Sequence, residues 1–463
     1  MGIVSKRKSK TLAALLALLV VTQSIAAFAQ SSATPKKEID SKNQDSLEDD
    51  WASDGRGEDS WVDEPWGEEE SSAIEWRGFS EFGLGVFRSA SPSPSPDGNS
   101  LNEWRNQISA SGYLGEHYLS SKVEILYDDV DDNNLQIKWR ELYIDSPITE
   151  NISSRIGQQV LTWGTGDFVF LNDFFPKNWQ SMFSGRDDEY LKASSASAKF
   201  SYYSDSFNAD IVWTPEFHSG IYIRGERFAY AHPAYPEPTA ERLQVARPKR
   251  TVSNGQLAAR LSKTHQGIEY AAYLYRGLYT QPNSFNPETG QQYFAGLNAY
   301  GASIRSPLAG GIANAEFSYW QSRDDKDGNK PFIPNSQIKT LIGFEREIIA
   351  NFTAGMQWFS ELNLDHQAAK QNSLHNGSLP NRWHHNLTLR LNYLAMQQKL
   401  TWSLFAFYSP DENDFYLKPK INYRHSDQWN FTLGANEFNG DSQQQWGQFK
   451  PSSNIYFRIR YSF

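Results

Sequence analysis

Arg155, Arg260, Arg390, Lys418, Lys420, Arg424, Arg458 and Arg460 stand in segments where apolar and polar residues alternate, and each falls on the polar face. A period of two sends alternate side chains to opposite sides of a pleated strand, so these cations would line one surface. Arg77, Arg105, Lys122, Lys138, Lys199 and Lys339 share that placement. The acids read on the same faces are fewer: Glu75, Glu81, Glu124, Asp210, Glu269, Glu316 and Glu345. If the polar faces enclose a lumen, it reads as about two to one basic, although the whole chain has a formal net charge of -10. Such a tube focuses a positive potential and favours anions or anionic sugars. Equally, its cations and acids can neutralise one another in an internal network, and alternation leaves both readings open. The pattern breaks at Arg140-Glu141, as a β-bulge would cause.

A second group of residues lies between alternating segments, from Gly164 to Leu191. Phe168, Phe170, Leu171, Phe174, Phe175, Trp179, Met182 and Phe183 are apolar there, while Asp167, Asp173, Asp187, Asp188 and Glu189 are acidic. A loop so apolar needs burial. It is expected to fold inward as a constriction, its acids opposite Arg155, Arg260 and Arg390; packing over a barrel mouth or into a subunit interface is the alternative. The stretch Glu216 to Asn254 carries Arg224, Arg227, Arg242, Arg247, Lys249 and Arg250. It suits lipopolysaccharide phosphates or an anionic substrate, or is simply a basic surface loop.

Other chemistries find little support. The chain has no cysteine, which excludes disulfides, thiolate metal sites, cysteine nucleophiles and a lipoprotein anchor. The nine histidines are scattered: His384 and His385 alternate in and out of one segment, and His232, His366 and His375 stand apart from any Gly-x-Ser-x-Gly. The oxygen-rich Asp324-Asp325-Lys326-Asp327-Gly328-Asn329 lacks the bidentate Glu of an EF-hand loop and reads as a polar hairpin tip. No phosphate loop points to a nucleotide, and nothing points to nucleic acid. No enzyme, cofactor or metal is expected.

These residues need elements to hold them. Residues 1–29 read as a secretory signal peptide: Lys6, Arg7, Lys8 and Lys10, an apolar run from Leu12 to Val21, then Ala27-Phe28-Ala29 before Gln30. Residues 30–73 hold 14 Asp and Glu against 4 Lys and Arg, too charged and too poor in apolar side chains to order themselves. They read as a disordered acidic periplasmic tail, with Trp51, Trp61 and Trp66 as either linker residues or a docking motif for a periplasmic protein. From residue 74 to 463 about eighteen alternating segments follow, sixteen being the other admissible count. Their connections are short after even-numbered segments, as at Ser204-Asp205, and mostly long after odd-numbered ones. Mean hydropathy is polar at -0.62. Yet the chain has 15 Trp, 23 Tyr and 28 Phe. Both follow if half of each strand faces water, half faces lipid, and aromatic girdles mark the interfaces. No run after the leader is long enough for a spanning helix, so strands must do the crossing. The fold expected is all-β, a transmembrane antiparallel up-and-down barrel in a Gram-negative outer membrane.

The last segment is the most specific. Ile455, Phe457, Ile459, Tyr461 and Phe463 share one face, and Asn454, Tyr456, Arg458, Arg460 and Ser462 the other. An alternation ending on a terminal Phe resembles the assembly signal of outer-membrane barrels, with Phe457, Tyr461 and Phe463 as its residues. The stretch Arg155-Ile156-Gly157-Gln158-Gln159, Leu161-Thr162-Trp163-Gly164 and Asn172-Asp173 resembles the strand-to-loop junction of porin-like families related to alginate-export channels, and Gly447-Gln448-Phe449-Lys450 to Phe463 is similar to their close. The resemblance covers about a tenth of the chain and carries over no substrate residue. It implies a channel for small hydrophilic solutes, with anionic ones favoured by the basic face. Its partners would be outer-membrane lipid, lipopolysaccharide and the barrel assembly machinery. A plugged barrel serving a periplasmic complex is the second hypothesis, and a rim-located hydrolase the third.

Overall fold

A computed structural model describes residues 74–463 except 90–97, 132, 233–234, 236 and 373–380. The expected signal peptide and acidic tail lie outside the described residues, as does His375.

Eighteen strands form one sheet. In chain order they are β1 (Glu75–Phe87), β2 (Asn99–Leu114), β3 (His117–Asp128), β4 (Leu135–Thr149), β5 (Ile152–Val160) and β6 (Ser194–Tyr203). Next come β7 (Asn208–Thr214), β8 (Gln256–His265), β9 (Ile268–Leu278), β10 (Gly296–Leu308), β11 (Gly311–Ser322) and β12 (Gln337–Ile349). The last six are β13 (Phe352–Asn363), β14 (Trp383–Ala395), β15 (Leu400–Ser409), β16 (Asp414–Arg424), β17 (Trp429–Asn439) and β18 (Asn454–Ser462). Each pairs antiparallel with its neighbours in sequence, and β18 pairs with β1, from Phe79 opposite Ser462 to Phe87 opposite Asn454. The sheet therefore has no edge, and every strand meets its backbone hydrogen bonds within the wall.

Local sequence explains the hairpins. At Gln266-Gly267 and Ala309-Gly310 both turn residues have positive φ, the two-residue geometry that matches strand twist. Two short connections are tighter than expected, because Pro147 and Pro307 lie inside β4 and β10 rather than in the turns. Pro147 sits beside an irregularity near the strand end, where a missing N–H is tolerated. The bulge at Arg140-Glu141 is present: Lys122 faces Glu141 while Val123 faces Trp139.

The two faces of the wall differ as alternation requires. Ile137, Ile342, Met356, Leu433 and Phe457 point outward and are exposed. Trp383 and Tyr408 stand toward the long-loop end of this belt, and Trp402, Tyr393 and Trp429 toward the short-turn end. Inward lie Glu124, Thr388, Ser318 and Asn386, all buried. Elements that alternation could not show occupy the loops: a helix α1 (Trp179–Ser184), a helix α2 (His366–Asn372), and a small sheet of Val245–Ala246, Ser284–Asn286 and Gln291–Tyr293.

Candidate pore and its constriction loop

The loop after β5 turns into the barrel and crosses it. Its first residues are held by β11. Glu316 accepts hydrogen bonds from the Thr165 backbone N–H and, at 3.0 Å, from its hydroxyl, while Asn172 Nδ2 donates to Glu316 at 2.7 Å. The Asp167 N–H donates to Gln357 of β13 at 3.1 Å, and its carboxylate lies 3.4 Å from Arg390 of β14. Phe168 meets the Phe405 ring of β15 edge-on, with the ring centroids 4.7 Å apart. In a closed ring of eighteen, β14 is the strand opposite β5, so the loop spans the full lumen.

Apolar burial anchors the middle of the loop. Asn178 caps α1 by accepting from Ser181 N at 3.0 Å, and Gly185, at φ 85°, ends it in the left-handed region. The helix drives Met182 and Phe183 into a cluster with Phe405, Phe407, Tyr416, Phe438, Trp446 and Phe449. Phe183 packs against Tyr416 and Phe438 at 5.6 and 5.2 Å between ring centroids. A fully buried ring of this kind contributes about 2 kcal/mol. Arg186 then binds Glu103 at 2.8 Å and Asp128 at 2.6 Å, and Arg227 from the following long loop joins the same Asp128.

The return limb is electrostatic. Asp187 lies 3.2 Å from Arg458, Glu189 lies 3.6 Å from Arg460, and Asp188 binds Lys420 at 2.8 Å together with Lys418. Tyr190 places its ring 3.9 Å under the Arg105 guanidinium. Burial tends to raise the Asp187 carboxyl, but Arg458, Arg460 and Lys420 outweigh it and hold the group below the usual carboxylate range. Asp167 goes the other way: burial raises it, Glu345 adds to the rise, and Arg390 only partly opposes.

The candidate cations are thus placed as follows. Arg390 contacts both Asp167 and Glu345; Lys418 and Lys420 share Asp188; Arg458 and Arg460 both reach Glu81, at 3.0 and 2.8 Å. Arg424 is half-buried at the short-turn end of β16. Two expected partnerships are corrected. Arg155 binds Asp145 at 2.7 Å and Arg260 binds Glu269 at 2.5 Å, instead of meeting the loop acids. Asp145 stands directly opposite Arg155 across the β4–β5 hairpin, where facing side chains lie within about 5.5 Å, and Glu269 belongs to β9, the strand beside that of Arg260. Asp173 likewise binds Lys177 of its own loop at 2.7 Å and Thr162 at 2.6 Å. The remaining inward cations are also matched: Lys122 with Glu141, Lys138 with Glu124, Lys199 with Asp210 and Lys339 with Glu361.

Several acids of the wall escaped the sequence reading. Glu103, Asp128, Glu141, Asp145 and Glu361 all take part in these pairs, so the inner surface is nearer balance than two to one. Glu103 has the same parity as Arg105, a signal that was available. Arg186 had none, since it sits in a loop, and Arg227, read as part of the basic stretch Glu216 to Asn254, is instead buried against Asp128. At the hairpin tip the Asp325 carboxylate accepts the N–H groups of Asn329 and Lys330 at 3.0 and 2.9 Å and so closes its own turn.

Two chambers flank the loop. One, of about 470 Å³, lies toward the long-loop end and reaches Lys339, Glu361 and Asn386. The other, of about 680 Å³, lies toward the short-turn end and reaches Arg305, Glu345, Lys420 and Arg460. Phe168, Phe170 and Asp173 line both. One loop separates them.

No family model matches this chain, and no curated protein matches it. Solved structures do. The chain is similar to OccAB4 of Acinetobacter baumannii at 9% identity and a TM-score of 0.49, over 84% of this chain and 98% of that one. It is similar to OccK5 (OpdH) of Pseudomonas aeruginosa at 9% identity and a TM-score of 0.48, over 85% and 97%. For the outer membrane channel DcaP of Acinetobacter baumannii the values are 11% identity and 0.41, over 85% and 97%. The fold assignment rests on the strand pairing itself.

Proposed function

We propose that this chain is an outer-membrane pore for small hydrophilic solutes, with the loop of residues 164–191 as its constriction. The observation that carries this reading is the pair of chambers meeting at Phe168, Phe170 and Asp173 on opposite sides of one loop. The apolar outer belt between two aromatic girdles suits a bilayer. The short turns would then face the periplasm with the tail, and the long loops the outside. The inner chamber is lined by seven cations, Arg305, Arg390, Lys420 and Arg460 among them, and by seven carboxylates, so the anion bias we propose is slight.

The test is single-channel conductance of the refolded barrel in a planar bilayer, compared with a chain lacking residues 168–183. The deletion should raise conductance several-fold, and an unchanged value would sink the constriction. A second reading has its own support, since the loop is tied to β2, β11, β13, β14, β15, β16 and β18. A plugged barrel that serves a periplasmic complex would conduct nothing until the loop is deleted. Reversal potential in a salt gradient decides the bias: a preference for cations refutes it.

A further inference from the structure

We infer that the outer chamber is a binding site for a neutral, ring-bearing polyol, a mono- or disaccharide in solution. This names a substrate class and rests on the reading of the barrel as a pore. The volume of about 470 Å³ falls within the range of small-molecule sites, about 300–1,000 Å³. Its wall offers aromatic rings: Trp179 and Phe359 line it and remain partly exposed, while Phe170 and Trp320, also partly exposed, each carry an ammonium group on one face, Lys177 at 4.7 Å and Lys339 at 3.8 Å. Phe170 and Trp179 stand edge to face at 5.9 Å, and Trp320 and Phe174 form a tilted pair at the same distance. Indole and phenyl faces attract the weakly positive C–H side of a pyranose ring, by the same quadrupole that attracts cations.

The chamber also has hydrogen-bonding groups with nothing to bind. Tyr279 is 7% exposed, and its hydroxyl has no partner among the described residues. The Gln281 side-chain N–H₂ on the same wall has none either. A buried polar group without a partner costs free energy, so the pair marks a place where a ligand's hydroxyls would be held. Asn381 adds a further amide, which both donates and accepts, while the Asn386 and Gln445 amides are already bonded to each other and to His384.

Charge argues against an ion as the occupant. Lys339 lies 3.1 Å from Glu361 and 3.8 Å over the Trp320 ring. Lys177 lies 2.7 Å from Asp173, and His384 lies 3.7 Å from Glu412. Each cationic group of the chamber already faces a carboxylate, so an entering anion would compete with an internal acid. Rings plus unused hydroxyl and amide groups, with charges cancelled, fit a sugar.

The experiment is calorimetric titration of the refolded full chain, in a detergent without a sugar headgroup, with maltose, sorbitol and benzoate. Maltose should give saturable heat, and sorbitol, which has hydroxyls but no ring, much less. Tyr279→Phe should weaken maltose binding about five- to tenfold, the loss of one hydrogen bond. Trp320→Phe, which keeps a ring but less of a face, should weaken it as well. Equal heats for maltose and sorbitol, or saturation by benzoate alone, would overturn the proposal. Binding is read here without any current, so a barrel that binds maltose yet does not conduct refutes the pore, and one that conducts yet binds no maltose refutes only the sugar site.

Discussion

Arg458 of the closing strand lies 3.2 Å from Asp187 of the inward loop, 271 positions earlier in the chain. The same guanidinium reaches Glu81 of β1 at 3.0 Å. One side chain thus joins the seam of the barrel to the loop that crosses its lumen. Asp187→Asn should leave Arg458 and Arg460 undercompensated and loosen the return limb. Greater open-channel noise and a shift of reversal potential toward anions are the expected readouts, and a quiet channel with unchanged selectivity would refute the clamp.

Asp188 serves Lys418 and Lys420 together. Replacing it by Asn removes the carboxylate that binds both of these inward ammonium groups. Anion over cation permeability should rise a few-fold at low salt and less at high salt, where charges are screened. Selectivity independent of ionic strength would count against this account.

The loop should respond to acid in two stages. Asp167, whose carboxyl burial raises, takes up a proton before Asp187, which Arg458, Arg460 and Lys420 hold low. A raised carboxyl binds its proton more tightly when folded, so mild acid does not oppose the folded loop at Asp167. The Asp187 clamp contributes fully above the unfolded carboxylate value of about 3.9, and it is lost only as pH falls through its lower folded value. Conductance recorded as pH falls from 7 should change first in a way that Asp167→Asn removes. A first change that both proteins share would contradict the ordering.

Glu316 holds the start of the loop through Thr165 and Asn172. Glu316→Ala removes the acceptor of the part-buried Thr165 donors and leaves Asn172 Nδ2 only the longer contacts to the Ala302 and Phe317 carbonyls, at a cost of about 1–3 kcal/mol. Faster hydrogen exchange confined to residues near 165–172 should follow while the barrel wall stays protected. Uniform loss of protection would show that Glu316 supports the wall instead.

The barrel closes on Phe463, whose N–H and C=O both pair with Gly78 at 2.9 Å. A Cβ at Gly78 would come within 2.7 Å of the Phe463 ring. Deleting Phe463, or placing Val at Gly78, should lower the yield of heat-modifiable folded barrel in cells several-fold. Normal yield from both variants would dissociate the terminal aromatic from assembly.

What one can read in this chain depends on distance. About eighteen strands were legible, with sixteen admissible, because pleating is a local property: a residue's side of the wall follows from its parity, as the run from Trp383 to Ala395 shows. Which cations share the polar face of a strand follows from the same parity. Their partners were not legible, since Arg155 pairs across one hairpin whereas Arg458 pairs across the seam and with a loop. That the loop from Gly164 to Leu191 needs burial could be read from its Phe and Trp content, but not the wall it reaches. Closure decided that, by setting β14 opposite β5 and bringing Arg390, Lys418 and Lys420 within range of Asp167 and Asp188. Composition and period therefore determined the wall and its two faces. Only the closed tertiary structure decided which charges cancel, because ion pairing acts over a few ångströms and chain order says nothing of distances across a lumen.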